Sequence, residues 1–121
     1  MLADEGIGLF GIRRRGNENL IGFCGFVRLE GMEEPELAYE LTRGAWGEGL
    51  ATEASRVCLR HAFEETGLER VVAGADPENV ASQRVVEKLG MRRLGNLNPN
   101  VPEASYYAVY RNKFLSAIGK E

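Results

Sequence analysis

Three closely spaced glycines are the residues whose types and spacing point most directly to chemistry. Gly44, Gly47 and Gly49 follow a short apolar segment and precede a long helical pattern. Glycine has no Cβ, so the backbone at these positions can approach a ligand closely. The first turn of the helix adds unpaired N–H groups and the positive end of the helix dipole, which together bind phosphate. The sequence therefore predicts a phosphate-binding loop at the start of this helix.

Two well-known phosphate loops do not match this segment. A P-loop ends in Gly-Lys followed by Ser or Thr, and the sequence contains no such ending. A dinucleotide fingerprint needs a third glycine, but Ala51 and Thr52 stand after Gly47-Glu48-Gly49. A different phosphate loop and a plain connection between a strand and a helix remain as alternatives.

Two carboxylates lie shortly before the loop, in the segment 36–41 (ELAYEL), which has the character of a short strand. Glu36 and Glu40 share one face if the strand is regular, because side chains alternate along a strand. Either carboxylate could accept a proton, directly or through water. The alternative for each is an ordinary solvated strand carboxylate.

Composition limits the class of protein. The chain has 121 residues with a net charge of −3, which suits one globular domain and argues against binding to nucleic acid. No apolar segment is long enough to span a bilayer, and the acidic N-terminus lacks the pattern of a signal peptide, so we expect a cytoplasmic protein. Cys24 and Cys58 are expected to be buried thiols, and with His61 they make no recognisable metal site.

Hydrophobic periodicity predicts the element order βββαβαββ, an α+β fold in which helices pack on a mixed sheet. The expected strands are 7–14, 20–29, 36–41, 69–75, 91–95 and 105–112, the helices are 49–66 and 79–89, and loops lie at 31–35, 76–79 and 96–102. The inward faces of the helices are assigned to Leu50, Ala54, Val57, Cys58 and Ala62, with His61 as a further candidate, and to Val80, Val85, Val86 and Leu89.

Three motifs resemble the GNAT superfamily of N-acetyltransferases, in particular its RimJ/RimL-like branch of ribosomal-protein N-acetyltransferases. The segment 46–54 (WGEGLATEA) is similar to the branch's coenzyme A loop, with Trp46 where the general pattern Q/R-x-x-G-x-G/A has Gln or Arg. The segment 36–39 (ELAY) resembles E-I-G-Y, and 79–91 resembles N-x-x-S followed by EKLGF. The resemblance covers the chain from residue 7. It implies a GNAT-like acyl-CoA N-acyltransferase fold, a mixed, mostly antiparallel twisted sheet with two main helices, in a single domain over 1–121.

The resemblance also implies an activity, the transfer of acetyl from acetyl-CoA to a primary amine by direct attack. It implies that the cofactor binds to Tyr39, Leu41, Trp46, Gly47, Glu48, Gly49, Leu50, Ala51, Thr52, Asn79 and Ser82. The pyrophosphate would lie on the loop, and backbone N–H groups of the third strand, separated from the next strand by a bulge, would bind the carbonyl oxygen. For Asn79, the alternative role is that of a helix N-cap.

Proton transfer has several candidate residues. The resemblance places a general base at Glu36, with Glu40 as a second candidate. Many GNAT enzymes carry a Tyr as general acid at the position of Val86, which cannot donate a proton, so Ser82 is the expected substitute. Tyr106, Tyr107 and Tyr110 are other candidate donors.

The resemblance departs from the family at the N-terminus. Relatives carry another strand and a pair of helices before the position of residue 7, and those helices wall the acceptor site. An unpaired sheet edge would favour association, so we expect a homodimer. The acceptor is a protein N-terminal amine or a small-molecule amine. The alternative function is a non-catalytic acyl-CoA-binding module or a truncated acetyltransferase fragment.

Overall fold

Six strands and three α-helices form the part of the molecule that the computed structural model describes, which comprises residues 8–28, 34–75, 79–95 and 105–118. The strands are β1 (Leu9–Arg13), β2 (Leu20–Val27), β3 (Glu36–Leu41), β4 (Arg70–Ala75), β5 (Arg92–Gly95) and β6 (Ser105–Tyr110). The helices are α1 (Leu50–Glu65), α2 (Val80–Lys88) and α3 (Arg111–Ile118), and a short 3-10 helix spans Arg43–Ala45.

The strands form one sheet in the order β1-β2-β3-β4-β6-β5. All neighbouring pairs are antiparallel except β3 and β4, which run parallel. Because β3 and β4 are parallel and consecutive, α1 must cross over between them. The predicted fold class, a mixed and mostly antiparallel sheet with packed helices, is confirmed.

One face of the sheet carries the main hydrophobic core. Register and alternation place Cys24, Tyr39 and Leu37 on this face. All three helices pack there, and the buried cluster comprises Cys24, Phe26, Leu37, Cys58, Leu59, Ala62, Phe63, Val71, Ala73, Val86, Leu89, Met91, Val109 and Phe114. Glu36 and Glu40, at alternate positions of β3, consequently project from the opposite face of the sheet.

The C-terminal helix α3 was not predicted. The expected strand at 105–112 ends at Tyr110, and a helix begins at Arg111. The helix places Phe114 in the core, where its ring centre lies 5.6 Å from that of Phe63. The order is therefore βββαβαββα.

The inward face predicted for α1 was partly wrong. Val57 is 65% exposed, and His61 is exposed. Cys58 and Ala62 are buried as predicted, and Ala54 packs against the core. The other buried residues along α1, which were not predicted, are Thr52, Ser55, Leu59 and Phe63. Ser55 can be buried because its hydroxyl lies 3.5 Å from the Cys24 thiol, at hydrogen-bonding distance.

In α2, the prediction held for three of four positions. Val86 and Leu89 are buried and Val85 packs against the core, but Val80 is 56% exposed. Both cysteines are buried free thiols, as expected. The expected loops at 31–35, 76–79 and 96–102 lie largely outside the described residues. No helix in the described ranges is long and apolar enough to cross a membrane.

Candidate active site

The loop between β3 and α1 has the conformation that an anion site requires. Gly47 and Gly49 adopt left-handed φ angles of 80° and 76°, which residues with a Cβ rarely adopt. Gly49 is the N-cap of α1 and provides no side-chain cap, so the first N–H groups of the helix have no capping partner from it. Apart from each glycine and its two chain neighbours, no atom of the described residues lies within 4 Å of a Cβ built on Gly47 or Gly49. Uncapped N–H groups at the start of α1 therefore face open space, and a diphosphate fits this set of donors.

Trp46 ties the loop to the end of β3. Its indole Nε1 donates a hydrogen bond of 2.9 Å to the carbonyl oxygen of Leu41. The Arg43 guanidinium lies 5.5 Å from the centre of the indole ring, within the range of a cation–π contact. Trp46 is nevertheless 60% exposed, so one side of the ring stays open beside the glycines.

A bidentate ion pair fixes the loop from the other side. The two terminal nitrogens of Arg14 donate to the two carboxylate oxygens of Glu48 at 2.7 and 2.6 Å. The pair lowers the pKa of Glu48 and raises the pKa of Arg14, because each charge is stabilised by the hydrogen bond to the other. The Glu48 charge next to the anion site is thereby neutralised. The two residues are 34 positions apart, so no local sequence pattern reveals the pairing.

A gap opens between β3 and β4 next to the loop. The two strands share a single paired position, Glu36 with Val72, and the N–H of Val72 donates to the carbonyl of Pro35. In the β2–β3 ladder, by contrast, the pairing is regular from Glu36 to Leu41. Because main-chain groups alternate in direction along a strand, those of Tyr39 and Leu41 point toward β4. Among the described residues, β4 does not pair with β3 at these two positions.

Glu36 lies at the closed end of this gap. Its Oε1 accepts a hydrogen bond of 3.1 Å from the main-chain N–H of Gly74, and its Oε2 is buried with no partner among the described residues. Burial raises the pKa of Glu36, although the hydrogen bond from Gly74 opposes this. A carboxylate with a raised pKa is a better base for an amine proton. Glu40 projects from the same face, as predicted, but it is exposed.

On the other face of the sheet, two hydroxyl groups meet. The Tyr39 Oη and the Ser82 Oγ lie 3.1 Å apart. Asn79 acts as the N-cap of α2, and its Oδ1 accepts a hydrogen bond of 3.0 Å from the Ser82 N–H. The structure thus supports the capping role of Asn79, and its amide oxygen is engaged there.

The other candidate proton donors are placed less favourably. Val86 is fully buried in the core. Tyr110 is half-exposed and faces Arg70, whose guanidinium lies 6.0 Å from its ring. Tyr106 is buried, and its ring lies 3.3 Å from the position of a Cβ built on Gly74. Of the tyrosines in the described strands, Tyr39 is the one hydrogen-bonded to Ser82, a contact that sequence reasoning did not predict.

A groove extends from the loop along the exposed side of α1. Its volume is about 550 Å³, and its lining includes Gly49, Arg56, Arg60 and Lys88. Arg56 donates to the main-chain carbonyl of Lys88, and Arg60 pairs with Glu64. Three cations and one carboxylate, Glu53, therefore line a path that begins at the predicted phosphate loop, and the surplus of positive charge favours an anionic ligand.

These features lie together at one place in the fold, an uncapped strand-to-helix loop beside a pair of strands that share one paired position. The family model described as the acetyltransferase (GNAT) domain matches residues 1–92. The chain therefore belongs to the GNAT acetyltransferase family. Members of this family take their acetyl group from acetyl-CoA.

Individual relatives agree with this assignment. The uncharacterized N-acetyltransferase YnaD of Bacillus subtilis is 31% identical over 111 residues, which cover 87% of this chain and 65% of YnaD. An acetyltransferase structure from Agrobacterium tumefaciens has a TM-score of 0.81 at 28% identity, covering 87% of this chain and 61% of its own. RimJ of Mycobacterium smegmatis, solved with CoA-disulfide, has a TM-score of 0.75 at 23% identity, covering 93% and 60%. At that identity, the likeness to RimJ supports the shared fold. The chain spans less than two thirds of the length of each of these proteins.

Proposed function

We propose that this chain is an N-acetyltransferase that transfers acetyl from acetyl-CoA to a primary amine by direct attack. The observation that carries the proposal is the uncapped, glycine-flanked start of α1 beside the gap between β3 and β4. The loop offers N–H donors to a diphosphate, and the gap offers main-chain groups to an extended arm. Both recognition elements of an acyl-CoA therefore lie next to each other.

This geometry supports an assignment of the cofactor-binding residues. Main-chain N–H groups of Gly47, Glu48, Gly49, Leu50 and Ala51 would hold the pyrophosphate, with Thr52 in the same first turn. Tyr39 and Leu41 would hold the pantetheine arm through the main-chain groups that point toward β4. Trp46 would support the loop through its bond to Leu41. We retain Ser82 as a contact of the thioester end and assign Asn79 to the start of α2.

The chemistry is divided between the two faces of the sheet. Bound acetyl-CoA supplies an activated acetyl group. Glu36 accepts the amine proton, directly or through water, from the face opposite the helices, and the exposed Glu40 attracts the cationic form of the amine. The Ser82 hydroxyl approaches the leaving group from the helix side. Main-chain N–H groups of Tyr39 and Leu41 stabilise the charge that develops on the carbonyl oxygen.

We place the protein in the RimJ/RimL-like branch on the strength of Trp46 in the loop and Ser82 at the start of α2. The acceptor is accordingly a protein N-terminal amine or a small-molecule amine.

A cytoplasmic location fits the two buried free thiols, because a reducing compartment keeps thiols free. A homodimer is the expected assembly, since β1 pairs on one side only among the described strands. Light scattering tests the dimer, and a monomer at high concentration would contradict it.

The alternative function is a non-catalytic acyl-CoA-binding module, and Val86 at the usual acid position favours it. Two assays separate the alternatives. Calorimetry with coenzyme A measures binding, and thiol release from acetyl-CoA in the presence of N-terminal peptides, polyamines and amino acids measures transfer. We expect binding and amine-dependent thiol release. Binding without release on every amine would identify the binding module, and the absence of binding would refute both functions.

A further inference from the structure

The hydroxyl pair of Tyr39 and Ser82 connects two elements that the sheet does not connect. Tyr39 lies on β3 beyond the single paired position with β4, and Ser82 lies in the first turn of α2, which follows β4. The 3.1 Å contact therefore spans the mouth of the β3–β4 gap on the helix side. Asn79 holds the main-chain N–H of Ser82, not its hydroxyl. Among the described side chains, Tyr39 is the hydrogen-bond partner of the Ser82 hydroxyl.

We propose that Tyr39 is a positioning residue that aims the Ser82 hydroxyl at the sulfur of bound coenzyme A. This inference rests on the proposed function. Each hydroxyl of the pair carries one hydrogen, so only one of them can donate within the pair. A phenol is a stronger acid than an alkyl alcohol and is the better donor of the two. With Tyr39 donating to the Ser82 Oγ, the hydrogen of Ser82 is left to point away from Tyr39, toward the gap.

The chemical role of this arrangement is hydrogen bonding to a leaving thiolate. When the thioester C–S bond breaks, its electron pair stays on sulfur, and the Ser82 hydroxyl donates to that sulfur. Full proton transfer from the pair is unfavourable, because a thiol is a stronger acid than either hydroxyl. Burial also raises the pKa of Tyr39, which keeps its hydrogen in place. The thiolate is later protonated by solvent, and no proton leaves the pair.

The position of Val86 explains why such a device is needed. Ser82 and Val86 are four residues apart and lie on one side of α2. Val86 is fully buried and has no hydrogen to donate, so the donor lies one turn earlier in the helix. A short serine side chain has freedom of rotation that a packed aromatic donor lacks, and a hydrogen bond from Tyr39 removes that freedom.

The test measures the acidity of the coenzyme A thiol while it is bound, which does not depend on turnover. The ultraviolet absorbance of the thiolate is followed against pH for the complex with coenzyme A, and the complex with desulfo-coenzyme A is subtracted. The subtraction removes the signals of Cys24 and Cys58. In the wild-type protein, we expect the bound thiol to be about tenfold more acidic than free coenzyme A, the effect of a hydrogen bond to a charged group.

Four variants distinguish a role of Tyr39 in orienting the Ser82 hydroxyl from a purely structural role. Tyr39→Phe and Ser82→Ala should both return the bound thiol to the acidity of free coenzyme A while binding desulfo-coenzyme A as the wild type does. Ser82→Thr should keep the effect because it keeps the hydroxyl. Tyr110→Phe is the matched control, since its hydroxyl faces Arg70 and its loss should change nothing.

The outcomes separate this inference from the proposed function. If the wild type binds neither coenzyme A nor its desulfo analogue, the proposed function is wrong, and this inference is wrong with it. If it binds both but Tyr39→Phe leaves the bound thiol as acidic as in the wild type, only the role of Tyr39 is wrong. Loss of the effect in Tyr39→Phe and Ser82→Ala, with retention in Ser82→Thr and Tyr110→Phe, supports the inference.

Discussion

The carboxylate of Glu36 accepts a hydrogen bond from the main-chain N–H of Gly74 where the pairing of β3 and β4 ends. In a longer parallel ladder, the N–H of Gly74 would face a main-chain carbonyl of β3. The side chain takes that place, and its second oxygen stays buried without a partner in the described residues. The gap therefore ends at a carboxylate whose environment favours protonation.

Replacing Glu36 by Gln should slow acetyl transfer without weakening cofactor binding. The amide oxygen can still accept from Gly74, but the side chain can no longer accept the amine proton. We expect kcat to fall roughly 100-fold, the usual scale of general-base catalysis. Glu40→Gln serves as the control and should change kcat much less, because Glu40 is exposed. Steady-state kinetics with calorimetry of coenzyme A binding would decide, and equal losses in both variants would contradict the assignment.

The same substitution should stabilise the fold at neutral pH. Burial raises the pKa of Glu36 in the folded state, so its ionised form opposes folding at pH 7. The stability that the protein has with Glu36 protonated is fully present below the pKa of the unfolded state, about 4.3. That stability is lost as the pH rises through the pKa of Glu36 in the folded state. Glu36→Gln should therefore melt at a higher temperature than the wild type at pH 7, with the advantage shrinking toward pH 4. If the difference in melting temperature between Glu36→Gln and the wild type instead grew toward acid pH, it would contradict the raised pKa of Glu36.

Gly49→Val should weaken coenzyme A binding severely. The left-handed φ of 76° is strained for any β-branched residue, and the new side chain would enter the open space in front of the first turn of α1. Loss of two hydrogen bonds to the pyrophosphate corresponds to an affinity reduced roughly 100-fold or more. Gly44→Ala, in the same loop but without a left-handed φ, should bind normally. Unchanged calorimetric affinity in Gly49→Val would mean that the phosphate site lies elsewhere.

The ion pair of Arg14 and Glu48 gives a prediction about charge. Arg14→Ala leaves the Glu48 carboxylate unpaired beside the phosphate loop, so coenzyme A should bind several-fold more weakly. The double variant Arg14→Ala with Glu48→Gln should recover most of that affinity, because it removes the anion. The loss should shrink as salt is added, since both groups are exposed. Failure of the double variant to recover would show that Arg14 acts by contact with the cofactor rather than by neutralising Glu48.

Restoring a tyrosine at position 86 should harm this protein. Val86 is fully buried between α2 and the sheet, so Val86→Tyr overfills the core and should cost about 1–3 kcal/mol in the free energy of unfolding. We expect a lower midpoint of urea unfolding and no gain in kcat. Leu68→Val, at a partly buried position on the edge of the core, is a milder control. A stable variant with higher activity would show that the usual acid position is functional here.

Local patterns predicted the elements that carry the site. The bounds of β3 agree with the prediction, and α1 begins within a residue of it, because an alternating strand and a glycine loop before a helix have clear local signals. The left-handed conformations of Gly47 and Gly49 follow from the same loop. Those signals depend only on residues that are neighbours along the chain, so they can be recognised in a single sequence.

The contacts that define the chemistry could not be predicted in this way. Tyr39 meets Ser82 across 43 positions, and Arg14 meets Glu48 across 34, so neither pair has a local pattern. The face of α1 was misassigned because burial of Ser55 depends on a distant thiol partner, Cys24. The helix after β6 was missed because the core position of Phe114 depends on Phe63.

The central claim is that main-chain amides at the start of α1 hold the diphosphate of the cofactor. Titrating the isotope-labelled protein with coenzyme A and following its backbone amide resonances by nuclear magnetic resonance tests this claim most directly. We predict that the largest shifts fall on Gly47, Gly49, Leu50 and Ala51, and that 3′-dephospho-coenzyme A, which retains the diphosphate, reproduces them. Shifts that leave these amides unchanged while others move would contradict the account.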